Sequence, residues 1–138
     1  MSLYQKIEKG EEDIVFVYTI CASIEEAREL GYSCIEEKHA ISMDYWIINS
    51  IYPWQGVINE VDQYLLMFST QKNRSGELIK HIESVHTYKV PMIARCSTDM
   101  TNIPYQLWVA DTLKNTEKYI TEKEAHQKPD INSLNKLK

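Results

Sequence analysis

Ile14-Val-Phe-Val-Tyr-Thr-Ile20 is the stretch on which the fold depends. Its β-branched and aromatic residues follow one another without interruption. A strand with one face exposed to water would instead alternate apolar and polar residues. Such a run predicts a central strand that is covered on both faces. Ser23 stands three residues before Glu26, the spacing of a capping box, and predicts a helix from about residue 23 to residue 38. The apolar face of this helix is predicted to contain Ile24, Ala27, Gly31, Cys34 and Ile35.

Residues 40–70 are rich in Ile, Val, Tyr and Trp and predict a long β-hairpin. We expect strands over about 40–53 and 56–70, with the bend in 55–60. Pro53 lacks an amide donor and is expected at a sheet edge or a bulge. Both strands are longer than the ~5–6 residues of an ordinary strand, so their ends are predicted to pair with something else, such as another subunit.

The second half of the chain predicts a helix, a short strand and a further helix. The first helix begins after Asn73 or Ser75 and stops before Val90-Pro91, because the residue before proline avoids the helical region. The strand covers Pro91 to Cys96, and Asn102 is expected to cap the last helix. The predicted apolar positions of the two helices are Leu78, Ile79, Ile82, Val85 and His86, then Tyr105, Trp108, Val109 and Leu113. The order β-α-β-β-α-β followed by a helix predicts an α+β, ferredoxin-like sandwich with an extended hairpin and an additional C-terminal helix.

The composition of the chain limits the compartments and the classes of partner that we expect for the protein. Residues 1–114 are interpreted as the folded domain and residues 115–138 as a polar C-terminal extension, either a solvated tail or a short docking helix around Ile131, Leu134 and Leu137. Fifteen basic against twenty acidic residues give a net charge of −5, which argues against a nucleic-acid partner. The sequence predicts neither a signal peptide nor a membrane span, and three widely spaced cysteines predict no disulfide framework. A cytoplasmic location is expected.

Three motifs together resemble the CutA divalent-cation tolerance proteins. Tyr52-Pro-Trp-Gln-Gly56 resembles the Tyr-x-Trp-x-Gly signature, and His86-Thr-Tyr-Lys-Val-Pro91 resembles the His-x-Tyr-x-x-Pro motif. Asn102 with Tyr105 and Trp108 is similar to the terminal helix of that family. The resemblance covers residues 13–113 and implies a ferredoxin-like subunit of a tight homotrimer, a non-enzymatic protein with a role in tolerance of copper-type ions.

The chain departs from the family pattern mainly at charged and metal-capable positions. A first-strand cysteine of some members falls at Tyr18, while Cys21 lies three residues later. The Ala-Cys pair is Ala40-Ile41, and a Pro-Gly kink is replaced by Trp46-Ile47. Where the third strand of the family usually ends in Lys-Thr, this chain has Ser69-Thr70. Met92 and Gln63 stand at positions where the family usually has carboxylates.

His86 is the leading candidate for a site, since its family counterpart lies near the cleft between subunits. The alternative is a histidine that caps the C-terminus of its helix. Cys21 and Cys96 are weaker candidates for metal ligands, and His39 and His126 are predicted to be surface residues. Tyr52 and Trp54 would either stack on a flat ligand or pack the hairpin against a neighbour. With His86, Tyr88 and Trp108 they form the candidate set for an inter-subunit cleft.

No cofactor is predicted to be obligatory, and copper or zinc is an optional ligand. An alternative function is a trimeric sensor, similar to the PII signalling proteins, that binds a small anionic or nucleotide ligand in the cleft. A third is a partner-binding module that uses its C-terminal tail. The chain contains none of the common catalytic motifs, so no enzymatic activity is predicted.

Overall fold

The computed structural model describes residues 10–126, and the predicted docking helix at 131–137 lies outside them. The elements are four strands and four helices, labelled in chain order. The strands are β1 (Ile14–Cys21), β2 (Ser42–Trp54), β3 (Val57–Gln71) and β4 (Ile93–Ser97). The helices are α1 (Ile24–Glu36), α2 (Lys72–Val85), α3 (Ile103–Lys114) and the short α4 (Glu122–His126).

The strands form one antiparallel sheet in the order β2-β3-β1-β4. The central position predicted for β1 is confirmed, and Pro53 lies on the edge strand β2. Helices α1 and α2 cover one face of the sheet over a core that includes Val17, Leu66 and Phe68. On the other face, α3 covers the start of β1 through Val109 and Leu113. The α+β, ferredoxin-like arrangement with an additional helix is therefore present.

Helix α1 begins where the sequence places it. Ser23 is the N-cap, and its hydroxyl accepts a hydrogen bond from the amide of Glu26 at 3.2 Å. Ala27, Gly31 and Cys34 are buried as expected. Leu30 is buried as well, although the predicted stripe omits it.

Helix α2 begins earlier than predicted, at Lys72. The amide of Lys72 donates to the carbonyl of Asp13 at 2.8 Å, and the amide of Asn73 donates to the carbonyl of Glu11 at 2.7 Å. Backbone carbonyls of the distant residues Glu11 and Asp13 therefore accept hydrogen bonds from the first amides of α2, which in many helices are bonded by a capping side chain. The prediction that Val85 is buried is wrong, because it is 51% exposed at the end of α2.

The prediction for the buried face of α3 is wrong at Trp108, which is 53% exposed. Gln106, only 6% exposed, takes that place and donates from its side-chain amide to the carbonyl of Thr101. The helix covers only one end of β1, so its buried face is narrow. The last strand also starts later than expected, at Ile93 rather than Pro91.

The strands of the hairpin, β2 and β3, are much longer than β1, the strand that lies beside β3. The two strands pair from Ser42↔Ser69 to Trp54↔Val57, whereas β1 reaches β3 only as far as Tyr64. Residues 48–63 therefore project roughly 20 Å past the end of β1 as a two-stranded ribbon, here called the hairpin arm. Both faces of the arm expose apolar side chains, among them Ile51 (67%), Trp54 (47%) and Ile58 (79%).

The arm ends in a two-residue turn. Gln55 has φ 49° and Gly56 has φ 79°, so both central residues are left-handed, as in the turns that match the twist of a hairpin. A side chain at Gly56 meets no steric contact but keeps the cost of the left-handed conformation.

We expect Gly56→Ala to lower the free energy of unfolding by about 1 kcal/mol. Gly76→Ala, in an exposed turn of α2 where the new methyl group meets no neighbour, should raise it by roughly the same amount. Denaturant unfolding at one fixed protein concentration measures both. Equal effects of the two substitutions would show that the turn conformation is not what Gly56 provides.

Candidate functional site

The segment 86–92 wraps around the end of β1, and His86 holds it there. The imidazole side chain is fully buried. Its Nε2 lies 2.9 Å from the carbonyl oxygen of Ile20, and its Nδ1 accepts the amide of Tyr88 at 3.1 Å. Because Nδ1 accepts, the proton of the neutral ring resides on Nε2, which donates to Ile20. Both nitrogens are therefore in use within the subunit.

Glu26 is a second anchor of this segment. One carboxylate oxygen accepts the amide of Thr87 at 3.1 Å, and the other accepts the amide of Ala22 at 3.3 Å. The capping-box spacing predicts a bond back to the start of α1, but it carries no sign of the bond to Thr87. A single carboxylate thus joins the start of α1 to the segment that follows α2.

A pocket of about 500 Å³ lies between this segment and the hairpin arm. Among the residues that the structure describes, its aromatic lining consists of Tyr52, Trp54 and Tyr88, with Lys89 as the one cationic side chain. The other lining residues are Ile20, Ser50, Gln63, Thr87, Val90 and Met92. An apolar cleft with few polar groups is typical of small-molecule sites.

The Tyr88 hydroxyl donates to the side-chain carbonyl of Gln63 at 2.7 Å, and Gln63 is only 6% exposed. Burial, and then the neighbouring Tyr52, Cys21 and Glu26, raise the pKa of Tyr88. The phenol therefore stays protonated and can keep donating at neutral pH. This bond ties segment 86–92 to β3 across the floor of the pocket.

The structure brings most of the candidate cleft residues together. Tyr52, Trp54 and Tyr88 share the pocket, and the His86 ring lies beside Tyr88 with 5.2 Å between ring centroids. Trp108 is on α3 and does not line the pocket; its ring neighbour is Tyr105 at 6.0 Å.

The candidate metal ligands are dispersed. Burial, assisted by Glu26, raises the pKa of the Cys21 thiol to about 11, so it is not a thiolate at neutral pH. Cys96 is exposed on the edge strand β4. Within residues 10–126, no three His, Cys, Asp or Glu side chains are grouped so that they could hold a metal ion. One subunit, as far as it is described, does not offer a closed metal site.

We expect Tyr88→Phe to lower the free energy of unfolding by about 1–2 kcal/mol, because the carbonyl of Gln63 loses its donor in a nearly buried position. Tyr52→Phe is the matched control, since the Tyr52 hydroxyl has no hydrogen-bond partner within the described part of the chain. Its effect should stay within about 0.5 kcal/mol. If the two variants unfold at the same denaturant concentration, the Tyr88–Gln63 bond contributes nothing to stability.

No helix within residues 10–126 is both long enough and apolar enough to span a bilayer.

The sequence of this chain is similar to those of known proteins. The family model for the CutA1 divalent ion tolerance protein matches residues 15–112. The divalent-cation tolerance protein CutA of Thermococcus kodakarensis is 31% identical over 101 residues, which are 73% of this chain and 97% of that protein. Human protein CutA is 29% identical over 105 residues, 75% of this chain and 59% of the human protein.

Solved structures agree on the fold. The crystal structure of CutA1 from Ehrlichia chaffeensis superposes with a TM-score of 0.72 at 21% identity, covering 75% of this chain and 98% of that one. CutA1 from Pyrococcus horikoshii gives a TM-score of 0.69 at 26% identity, covering 71% of this chain and 96% of that one.

Proposed function

Because the chain belongs to the CutA1 divalent ion tolerance protein family, we propose that it works as a non-enzymatic homotrimer in divalent-cation tolerance. The cytoplasm is the compartment we propose for it, although relatives are described as periplasmic in Archaeoglobus fulgidus and chloroplastic in Arabidopsis thaliana.

The observation that supports a trimer is the hairpin arm. A two-stranded ribbon is marginally stable in water unless a third strand or another layer covers it. Here the ribbon exposes large apolar side chains on both faces, including Ile51, Trp54 and Ile58. Monomers rarely expose a continuous apolar surface of this kind. Neighbouring subunits that each cover the next one's arm would remove it from water.

Light scattering should give a mass three times the 16.2 kDa of the chain. Ile51→Lys places a charge on the arm, where burial in an interface is costly, and should shift the mass towards that of one chain while circular dichroism shows a folded protein. Tyr32→Lys on α1, where Tyr32 is 54% exposed, is the matched control and should leave the trimer intact. A wild-type mass of one chain, or an unchanged trimer in Ile51→Lys, contradicts the proposed role of the arm.

We propose that one metal site lies between subunits, with Cys96 as a ligand. Cys96 is exposed, and its thiol has no hydrogen-bond partner in the part of the chain that the structure describes. Thiolates suit Zn²⁺ and Cu(I), and a shared site would gather such groups from more than one chain. His86 would have to give up its bond to Ile20 or to Tyr88 in order to coordinate, and Cys21 would have to lose a firmly held proton.

Zn²⁺ calorimetry under reducing conditions tests this assignment. Cys96→Ser should lower the apparent affinity of the trimer by at least about tenfold. His86→Ala should leave the affinity unchanged in protein that remains folded, because the ring serves the fold. If His86→Ala lowers the affinity for Zn²⁺ more than Cys96→Ser does, His86 and not Cys96 is the principal ligand. No heat with the wild-type trimer would contradict the shared site.

The alternative of a PII-like sensor has less support. Its candidate cleft contains the aromatic surfaces of Tyr52 and Trp54, but Lys89 is the only cation among the lining residues. A polyphosphate generally needs several cations or a glycine-rich loop, and the chain has four glycines in total. We therefore retain divalent-cation tolerance as the proposed function.

A further inference from the structure

Two of the four histidines meet at a place far from the pocket. His39 follows the C-terminus of α1, and His81 lies on α2; their ring centroids are 5.2 Å apart. His39 is predicted to be a surface residue, but in the structure it is only partly exposed and lies beside another imidazole. The two residues are 42 positions apart in the sequence, far beyond any helical spacing, so the sequence gives no signal of this pairing.

From this pairing we propose a divalent transition-metal site in which His39 and His81 are the two protein ligands of an ion such as Zn²⁺. With Zn–N bonds of about 2.0–2.1 Å and tetrahedral angles, two imidazole rings on one zinc ion have their centroids roughly 5 Å apart. The observed centroid separation of 5.2 Å equals that value. Water fills the remaining positions, because no group of three ligating side chains occurs within residues 10–126.

The hydrogen bonds around His81 leave one nitrogen free to bind. The Ser33 hydroxyl donates to the carbonyl of Leu30 at 3.3 Å, so its oxygen can accept from Nε2 of His81, which lies 3.0 Å away. The ring is then protonated on Nε2 and has its lone pair on Nδ1. A histidine that ligates a metal usually donates its other N–H to such an outer partner, which fixes the tautomer.

His39 is available as a neutral ligand. Its ring nitrogens have no hydrogen-bond partner within residues 10–126. A neutral imidazole with an unoccupied ring nitrogen is the form that binds a metal ion.

The charges near His39 are of both signs. Glu37 and Glu77 act on His39 as negative neighbours and Arg74 as a positive one, and Lys38 lines the same cavity. The Arg74 guanidinium donates to the carbonyls of Lys38 at 3.2 Å and Leu113 at 3.0 Å, which fixes its position. The C-terminal end of α1, which has no basic residue in its last turn, adds partial negative charge.

The site would serve the proposed role in divalent-cation tolerance, and it rests on that role, but it does not depend on the trimer, because both of its ligands come from one subunit and neither lies on the arm. The test uses the full chain carrying Cys96→Ser, which removes the thiolate proposed for the shared site. Zn²⁺ is titrated by calorimetry into this protein and into the same protein carrying His39→Ala, His81→Gln or, as the control, His126→Ala. His126 has an exposed side chain on α4 and is expected to play no part.

The proposal predicts one zinc ion per chain in the Cys96→Ser protein. His39→Ala and His81→Gln should each weaken binding by at least about tenfold, while His126→Ala changes nothing. Nitrogen–proton spectra of the histidine rings should show His39 and His81 shifting together on addition of Zn²⁺, with His86 unmoved. Absence of binding, a loss in only one of the two variants, or a shift of His86 instead would overturn the proposal. None of these results would bear on whether the chain forms a trimer.

Discussion

The mismatch in length between the strands of the sheet is the constraint on which the rest of the structure depends. β1 is eight residues long and sits between β3 and β4, while β2 and β3 continue well past its end. In the hairpin arm, only the backbone groups that face the partner strand are paired by its ladder, and apolar side chains such as Ile51 and Ile58 are exposed within the described chain. The protein therefore has a closed core at one end of the sheet and an apolar ribbon at the other.

The same mismatch creates the pocket. Where β1 stops, segment 86–92 crosses the end of the strand and is held there by His86, Glu26 and Tyr88. Tyr52 and Trp54 stand on the arm beside that crossing. Two of the three motifs that carry the family resemblance thus meet at one place, and the side chains of His86 and Tyr88 hold the segment in position there. His86 and Tyr88, which the sequence offers as candidates for a ligand cleft, act here as structural supports beside it.

Much of the fold could be predicted from local signals in the sequence. Three signals involve only a few neighbouring residues and can therefore be read from the sequence. They are the unbroken apolar run of β1, the Ser23 cap and the turn at Gln55-Gly56. The errors come from contacts between distant segments. The carbonyls of Glu11 and Asp13 begin α2 early, and the narrow surface offered by β1 buries Gln106 in place of Trp108.

The candidate site was predictable in its membership but not in its chemistry. The motifs identify Tyr52, Trp54 and Tyr88, yet only the three-dimensional contacts show that both nitrogens of His86 are occupied. The pairing of His39 with His81 depends on how α1 and α2 pack, and no spacing in the sequence encodes it.

The central claim is that subunits cover one another's arms, and hydrogen exchange of the backbone amides in residues 48–63 tests it most directly. An arm buried in an assembly should exchange nearly as slowly as β1, and dilution below the assembly concentration should remove that protection. Fast exchange along the whole arm, unchanged between dilute and concentrated protein, would contradict the account.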